Sequence, residues 1–255
     1  MKVGIVGCGA IGSEVAKAAS AMDGIEAVWL FDIDPDAAAH LRHLPRAHVA
    51  KTAGELVAKA DLVIEAANKG VVQTVIRDAL AAGKKTMLMT IGALADDALR
   101  EELVGLAKKT GGKMYLPSGA VMGVDGVKAA AEADLKSVTL VTTKPPAGLD
   151  KKTDRWTLLF SGPAREAVQK FPKNVNVAAT LSLAGLGFDQ THVQVAIDPL
   201  ATRNSHKVII EGGFGRARIE VENLPSPTNP ATSYLASLSA IALLRRIVSP
   251  IEIGA

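Results

Sequence analysis

Gly7-Cys8-Gly9-Ala10-Ile11-Gly12 is a G-x-G-x-x-G pattern, and Asp32 stands twenty residues beyond its last glycine. Glycines at these places allow a tight turn, a close approach of backbone to a diphosphate, and close packing of a helix on a strand. A helix opened by such a turn offers unpaired N–H groups around Ala10, Ile11 and Gly12 to an anion. Asp32 is placed to accept hydrogen bonds from ribose hydroxyls. Together these residues predict a dinucleotide site. A carboxylate at position 32 repels a 2′-phosphate, and Ile33-Asp34 supply no arginine to receive one, so NAD is favoured. Arg42 and Arg46 are near in sequence and keep NADP as an alternative. Cys8 reads as a small residue at a permissive position.

A nucleotide site says nothing of the reaction. Candidates for chemistry lie in polar clusters set in apolar sequence: 117–120 (PSGA), 171–176 (FPKNVN), 203–207 (RNSHK) and 229–234 (NPATSY). Thr232 or Ser233 could equally cap the helix that follows. Among the five histidines, His40 and His43 share a helical spacing but lack a Cys or carboxylate set, so no metal site is expected. His192 opens an alternating strand. His206 stands apart, at a loop-to-strand junction, and from the residues alone it is either structural or an acid–base group.

The elements that must hold these groups alternate in the first half. Apolar runs at 2–6, 26–31, 61–65, 86–90 and 113–116 read as strands, with helical spacing at 11–21, 35–41, 71–82 and 96–109. That is the pattern of a parallel sheet covered on both faces. Beyond Pro117 the texture becomes period-2 and β-branched, at 138–143, 156–161, 192–197, 207–211 and 217–222. The expected fold is an α/β protein. It combines an N-terminal Rossmann-type doubly wound parallel sheet with a second α/β (α+β) domain carrying a mostly antiparallel sheet. The expected domains are 1–116 for the nucleotide and 117–231 for substrate and dimerisation, with a helix in 232–255 packing back on the first.

Composition narrows the classes. The chain has 255 residues, 48% hydrophobic and 22% charged, which excludes disorder. A net charge of +3 without basic blocks, and 4% aromatics, argue against nucleic acid as a partner. A single cysteine excludes an intrachain disulfide and implies a reducing, cytoplasmic compartment. The apolar stretch at 235–244 is about half of the ~20 residues that a membrane span needs, so no membrane partner is expected.

Seven segments carry a resemblance: VGIVGCGAIG at 3–12, EAAN at 65–68, PSGAVMGVDG at 117–126, KFPKNVNVAATLSLAG at 170–185, NSHKV at 204–208, GGFG at 212–215 and NPATSYLASLS at 229–239. On these the chain resembles the L-aspartate dehydrogenase family over nearly its whole length. The resemblance implies NAD-dependent oxidative deamination of L-aspartate to oxaloacetate and ammonia through iminosuccinate, which could feed NAD biosynthesis. It places Ala120 and Asn176 at NAD, His206 as the acid–base residue, and a homodimer as the assembly. The substrate has two carboxylates. Ser118, Asn174, Asn204, Thr232 and Ser233 are the neutral donors near the expected site, and Lys173, Arg203 and Lys207 the cations. Asn68-Lys69, Met122 and segment 142–154 depart from the family pattern. Two alternatives remain from the residues: another two-domain dehydrogenase or reductase of homoserine dehydrogenase or dihydrodipicolinate reductase type, and a non-catalytic NAD-sensing regulator.

Overall fold

The computed structural model describes residues 1–146, 153–171, 176–227 and 229–254, so Lys173 and Asn174 lie outside the described residues. They group into two compact units, Met1–Pro117 with Ser237–Ile253, and Ser118–Ala236 with Gly254.

The first unit runs β1 (Lys2–Val6), α1 (Ala10–Ser20), β2 (Ala27–Phe31), α2 (Pro35–Ala39), β3 (Ala47–Val49), α3 (Ala53–Lys59) and β4 (Leu62–Glu65). It continues through α4 (Lys69–Val71), a π-helical turn at Val72–Ile76, α5 (Arg77–Ala81), β5 (Lys85–Leu88), a 3-10 turn at Ile91–Ala95, α6 (Asp97–Thr110) and β6 (Lys113–Tyr115). The six strands pair in parallel in the order β3-β2-β1-β4-β5-β6. β1 lies between β2 and β4 and is buried after Lys2, which is why its sequence is apolar without alternation. The strand order reverses beside β1, and the crevice at the carboxyl ends of such strands is where this fold takes ligands.

Two of these elements were not expected from sequence. β3 is three residues long, too short to show a period. α3 does carry a start signal, because Thr52 accepts a hydrogen bond from the Glu55 amide at 3.1 Å.

The second unit contains α7 (Val124–Ala131), β7 (Leu135–Lys144), β8 (Thr157–Pro163), α8 (Ala164–Lys170), α9 (Asn176–Ala184), β9 (Thr191–Ile197), β10 (Asn204–Gly212), β11 (Gly215–Asn223), and a small ribbon of β12 (Pro225–Ser226) with β13 (Asn229–Ser233). Its five-stranded sheet has the order β11-β10-β7-β9-β8. Three of the neighbouring pairs are antiparallel, and β7 with β9 is parallel. The parallel pair arises because the chain between β7 and β9 passes through β8, α8 and α9 before returning. α7, α8 and α9 were not read from sequence. In α9 (NVAATLSLA) residues Val177 to Ser182 are all buried, so it has no polar face to mark a helical period.

α10 (Tyr234–Val248) closes the chain. Ala240 and Leu244 are fully buried in the same core as Val3, Ile5, Val15, Ala19 and Leu30. No helix among the described residues is long and apolar enough to cross a membrane.

Candidate active site

The glycine turn follows β1 directly. Gly7 has φ +94°, and a Cβ there would lie 2.6 Å from the Ala66 carbonyl oxygen. A Cβ on Gly12 would lie 1.8 Å from the Gly7 carbonyl oxygen, closer than any rearrangement of side chains could relieve. Gly9 faces open space. It is the N-cap of α1 and gives no side-chain hydrogen bond, whereas α2, α3 and α6 are capped by the side chains of Asp34, Thr52 and Asp96. The first turn of α1 also carries no acidic residue, so its N–H groups and positive dipole end suit an anion.

Asp32 follows β2 and does two things. Its Oδ2 accepts from the Cys8 amide at 2.6 Å and its Oδ1 from the Asp34 amide at 2.9 Å. The carboxylate therefore braces the glycine turn while each oxygen keeps acceptor capacity for a ribose hydroxyl. Arg46 is committed elsewhere: its guanidinium donates to the carbonyls of Met22 and Ile25, on the segment that leads into β2. Cys8 is buried, and burial, then the Asp32 charge, pushes its thiol up to about 12. It is a packed side chain with almost no thiolate at neutral pH. The turn as a whole fits a dinucleotide.

Sequence reasoning missed Glu65. It is fully buried at the end of β4, and its carboxylate accepts from Ala67 N (2.7 Å), Thr90 N (2.9 Å) and Thr90 Oγ1 (2.7 Å). Burial pushes its carboxyl up, against those three donors. Glu65 thus ties the ends of β4 and β5 together beside the Gly7 turn.

In the second unit His206 lies on β10 with 5% of its surface exposed. It pairs across the sheet with Thr142 on β7, and the two side chains share the inward face. Thr142 Oγ1 lies 3.0 Å from His206 Nδ1. When Nδ1–H donates to that hydroxyl, Nε2 is left with a free lone pair. Burial first, and the Lys144 charge second, push the imidazole down to about 4. His206 is therefore neutral at neutral pH, the form in which it can take a proton.

The other predicted residues are placed as follows. Asn204 begins β10 on the His206 face, two residues away. Ala120 is buried in a turn, and its carbonyl accepts from Asn223 Nδ2 at 3.0 Å. Ser118 is half-buried just upstream, and Asn176 starts α9. Thr232 and Ser233 sit on β13, with Ser233 paired to Pro225 in the small ribbon. Arg203 and Lys207 are turned to the exposed side, where Lys207 pairs with Glu220 at 3.0 Å and Arg203 with Glu222 at 4.0 Å. His192 Nε2 lies 3.0 Å from Ser161 Oγ across the sheet. His43 Nδ1 lies 2.9 Å from the His40 carbonyl, and His48 stacks on Trp29.

Residues 125–247 match the family model described as aspartate dehydrogenase, C-terminal, and residues 7–117 match that of the homoserine dehydrogenase NAD binding domain. An L-aspartate dehydrogenase of Methanosarcina acetivorans is 46% identical, over 100% of this chain and 99% of the relative. The chain belongs to the L-aspartate dehydrogenase family. Another such relative, from Methanothermobacter thermautotrophicus, is 40% identical over 100% of this chain and 98% of its own. The crystal structure of aspartate dehydrogenase from Thermotoga maritima superposes with a TM-score of 0.83 at 26% identity, covering 100% and 99% of the two chains. As a member of this family, the chain is an oxidoreductase whose first unit is its NAD-binding domain.

Proposed function

We propose that the protein oxidises L-aspartate with NAD+, and that His206 is its acid–base residue. The overall change consumes L-aspartate, NAD+ and water and yields oxaloacetate, ammonium, NADH and one proton. Iminosuccinate is the intermediate. NAD+, when bound, accepts the hydride that leaves Cα. The remaining tasks fall to the chain. The α1 N-terminus and the Gly9 opening receive the pyrophosphate, and Asp32 receives the ribose; Ala120 and Asn176 complete the cofactor contacts.

His206 Nε2 takes a proton from the substrate ammonium, because the nitrogen lone pair must be free to form the C=N bond as hydride departs. That proton passes on to solvent as the one proton of the overall change; Nε2, free again, takes a proton from the water that attacks the imine carbon and returns it to the leaving nitrogen. Thr142 holds the ring in the tautomer that leaves Nε2 free. Ser118, Asn174, Asn204, Thr232 and Ser233 are the neutral groups assigned to the substrate.

The observation that carries this reading is the buried, neutral His206 on its Thr142 partner. The experiment is a panel of amino acids, including homoserine, with NAD+ and NADP+ in parallel, followed by NADH or NADPH absorbance. L-Aspartate with NAD+ should give the highest kcat/KM, and His206→Ala should lose turnover while NADH binding stays near normal. Oxidation of homoserine and not aspartate, or full turnover by His206→Ala, refutes the reading.

A homodimer accompanies it, and light scattering should then give a mass near twice 26.5 kDa. A reducing, cytoplasmic compartment suits a chain whose one cysteine is a buried free thiol. Iminosuccinate released there would supply NAD biosynthesis.

A further inference from the structure

We propose that Asn223 is a further catalytic residue, whose side-chain carbonyl oxygen accepts an N–H of the substrate's amino group beside His206; this rests on the aspartate-oxidising reading above. Asn223 ends β11 with 3% of its surface exposed. Along β11, Ile219, Val221 and Asn223 alternate with the exposed Arg218, Glu220 and Glu222, so the first three share the inward face. On that face Val221 stands opposite His206, and Asn223 opposite Asn204. Asn223 is therefore the diagonal neighbour of His206, a separation of about 7–8 Å that two side chains and one small group between them can span. The imidazole turns Nδ1 to Thr142 on β7, at 3.0 Å. Nε2 then lies on the opposite flank of the ring, and β11 is the strand on that side of β10.

The Asn223 amide is fixed at one end and open at the other. Its Nδ2 donates to the Ala120 carbonyl at 3.0 Å, which sets the orientation of the amide because a carbonyl oxygen cannot donate. Packing also holds this turn on β11, since a Cβ on Gly123 would run into Ile219. Asn223 Oδ1 is buried and has no hydrogen-bond partner among the described residues. A buried acceptor left open costs free energy unless a donor fills it. The substrate nitrogen is such a donor. It arrives as an ammonium with three N–H groups, His206 takes one proton, and two N–H groups remain that need acceptors. As hydride departs from Cα, the nitrogen lone pair closes the C=N bond and positive charge gathers on the nitrogen, so these N–H groups become stronger donors. An amide oxygen already fixed at that place stabilises the developing charge more than the neutral amine, which speeds the step.

The test compares wild type with Asn223→Leu, which keeps the side-chain volume and removes the acceptor. Three quantities are read: kcat/KM for L-aspartate, the affinity of the NADH-loaded enzyme for succinate by calorimetry, and the affinity for NADH. Succinate carries both carboxylates and no nitrogen, so it cannot use the Asn223 oxygen. Loss of a hydrogen bond to a charged group predicts that kcat/KM for aspartate falls by roughly 10- to 150-fold. Succinate and NADH affinities should stay at their wild-type values. Unchanged kcat/KM for aspartate overturns the proposal. So does a loss shared equally by succinate, which would make Asn223 a brace for the Ala120 turn, or by NADH, which would assign its oxygen to the nicotinamide amide. Asn223→Ala, read by the same criteria, replaces the leucine variant if that fails to fold. If wild type oxidises aspartate and the variant matches it, this proposal falls alone; if wild type does not oxidise aspartate, both readings fall.

Discussion

Acidification should destabilise this fold by a predictable amount through His206 alone. The imidazole sits at about 4 in the folded protein against an ordinary value of 6.5, with burial the larger cause and the Lys144 charge the smaller. Above pH 6.5 both folded and unfolded chains carry a neutral ring, and His206 imposes no penalty. Between 6.5 and 4 the unfolded chain takes up a proton that the folded chain refuses, so stability falls as pH drops through that window. Below 4 both forms are protonated and the loss is complete. The full gap corresponds to about 3 kcal/mol, and about 2 kcal/mol of it should be lost by pH 5. Domains of this kind hold only about 5–15 kcal/mol in total, so the effect is large enough to measure.

Urea unfolding at pH 8, 6.5, 5.5 and 5, in wild type and His206→Gln, isolates it. Carboxylates titrate alike in both proteins and cancel in the difference. The variant should start less stable, through the lost Thr142 contact, and the difference between the two proteins should shift by about 2 kcal/mol in the variant's favour by pH 5. Parallel curves across that range would mean that the ring titrates near 6.5 when folded, and would remove the argument that burial keeps it neutral.

Three other substitutions probe the parts separately. Gly12→Ala drives a Cβ into the Gly7 carbonyl and should cost about 1–3 kcal/mol of stability together with most NADH affinity, read by thermal melting and fluorescence titration. Asp32→Ser removes both the brace on Cys8 and the charge that repels a 2′-phosphate. The ratio of kcat/KM for NADP+ over NAD+ should rise by about tenfold or more, about 1.4 kcal/mol, and an unchanged ratio would count against the ribose assignment. Thr142→Val keeps shape but removes the hydrogen bond to His206. It should lower kcat by about tenfold with little change in the NADH dissociation constant.

Much of the first unit was legible because its constraints are local. The positive φ at Gly7 and the clash of a Gly12 Cβ with the Gly7 carbonyl arise within a few residues, and β1, although buried by the distant β2 and β4, is marked by its own unbroken apolar run after Lys2. Short pieces escaped: β3 has three residues, and α9 is buried on every side, so neither shows a period. The sequence by itself determined the nucleotide turn, the alternating plan of the first unit and His206 as a candidate. Only the tertiary structure decided what His206 is. Its hydrogen-bond partner Thr142 lies 64 residues away, and the charge on it comes from Lys144, whose inward register is set by strand pairing. Glu65 and Asn223 were invisible for the same reason. Burial and electric field are sums over residues distant in the chain, and no local spacing encodes them.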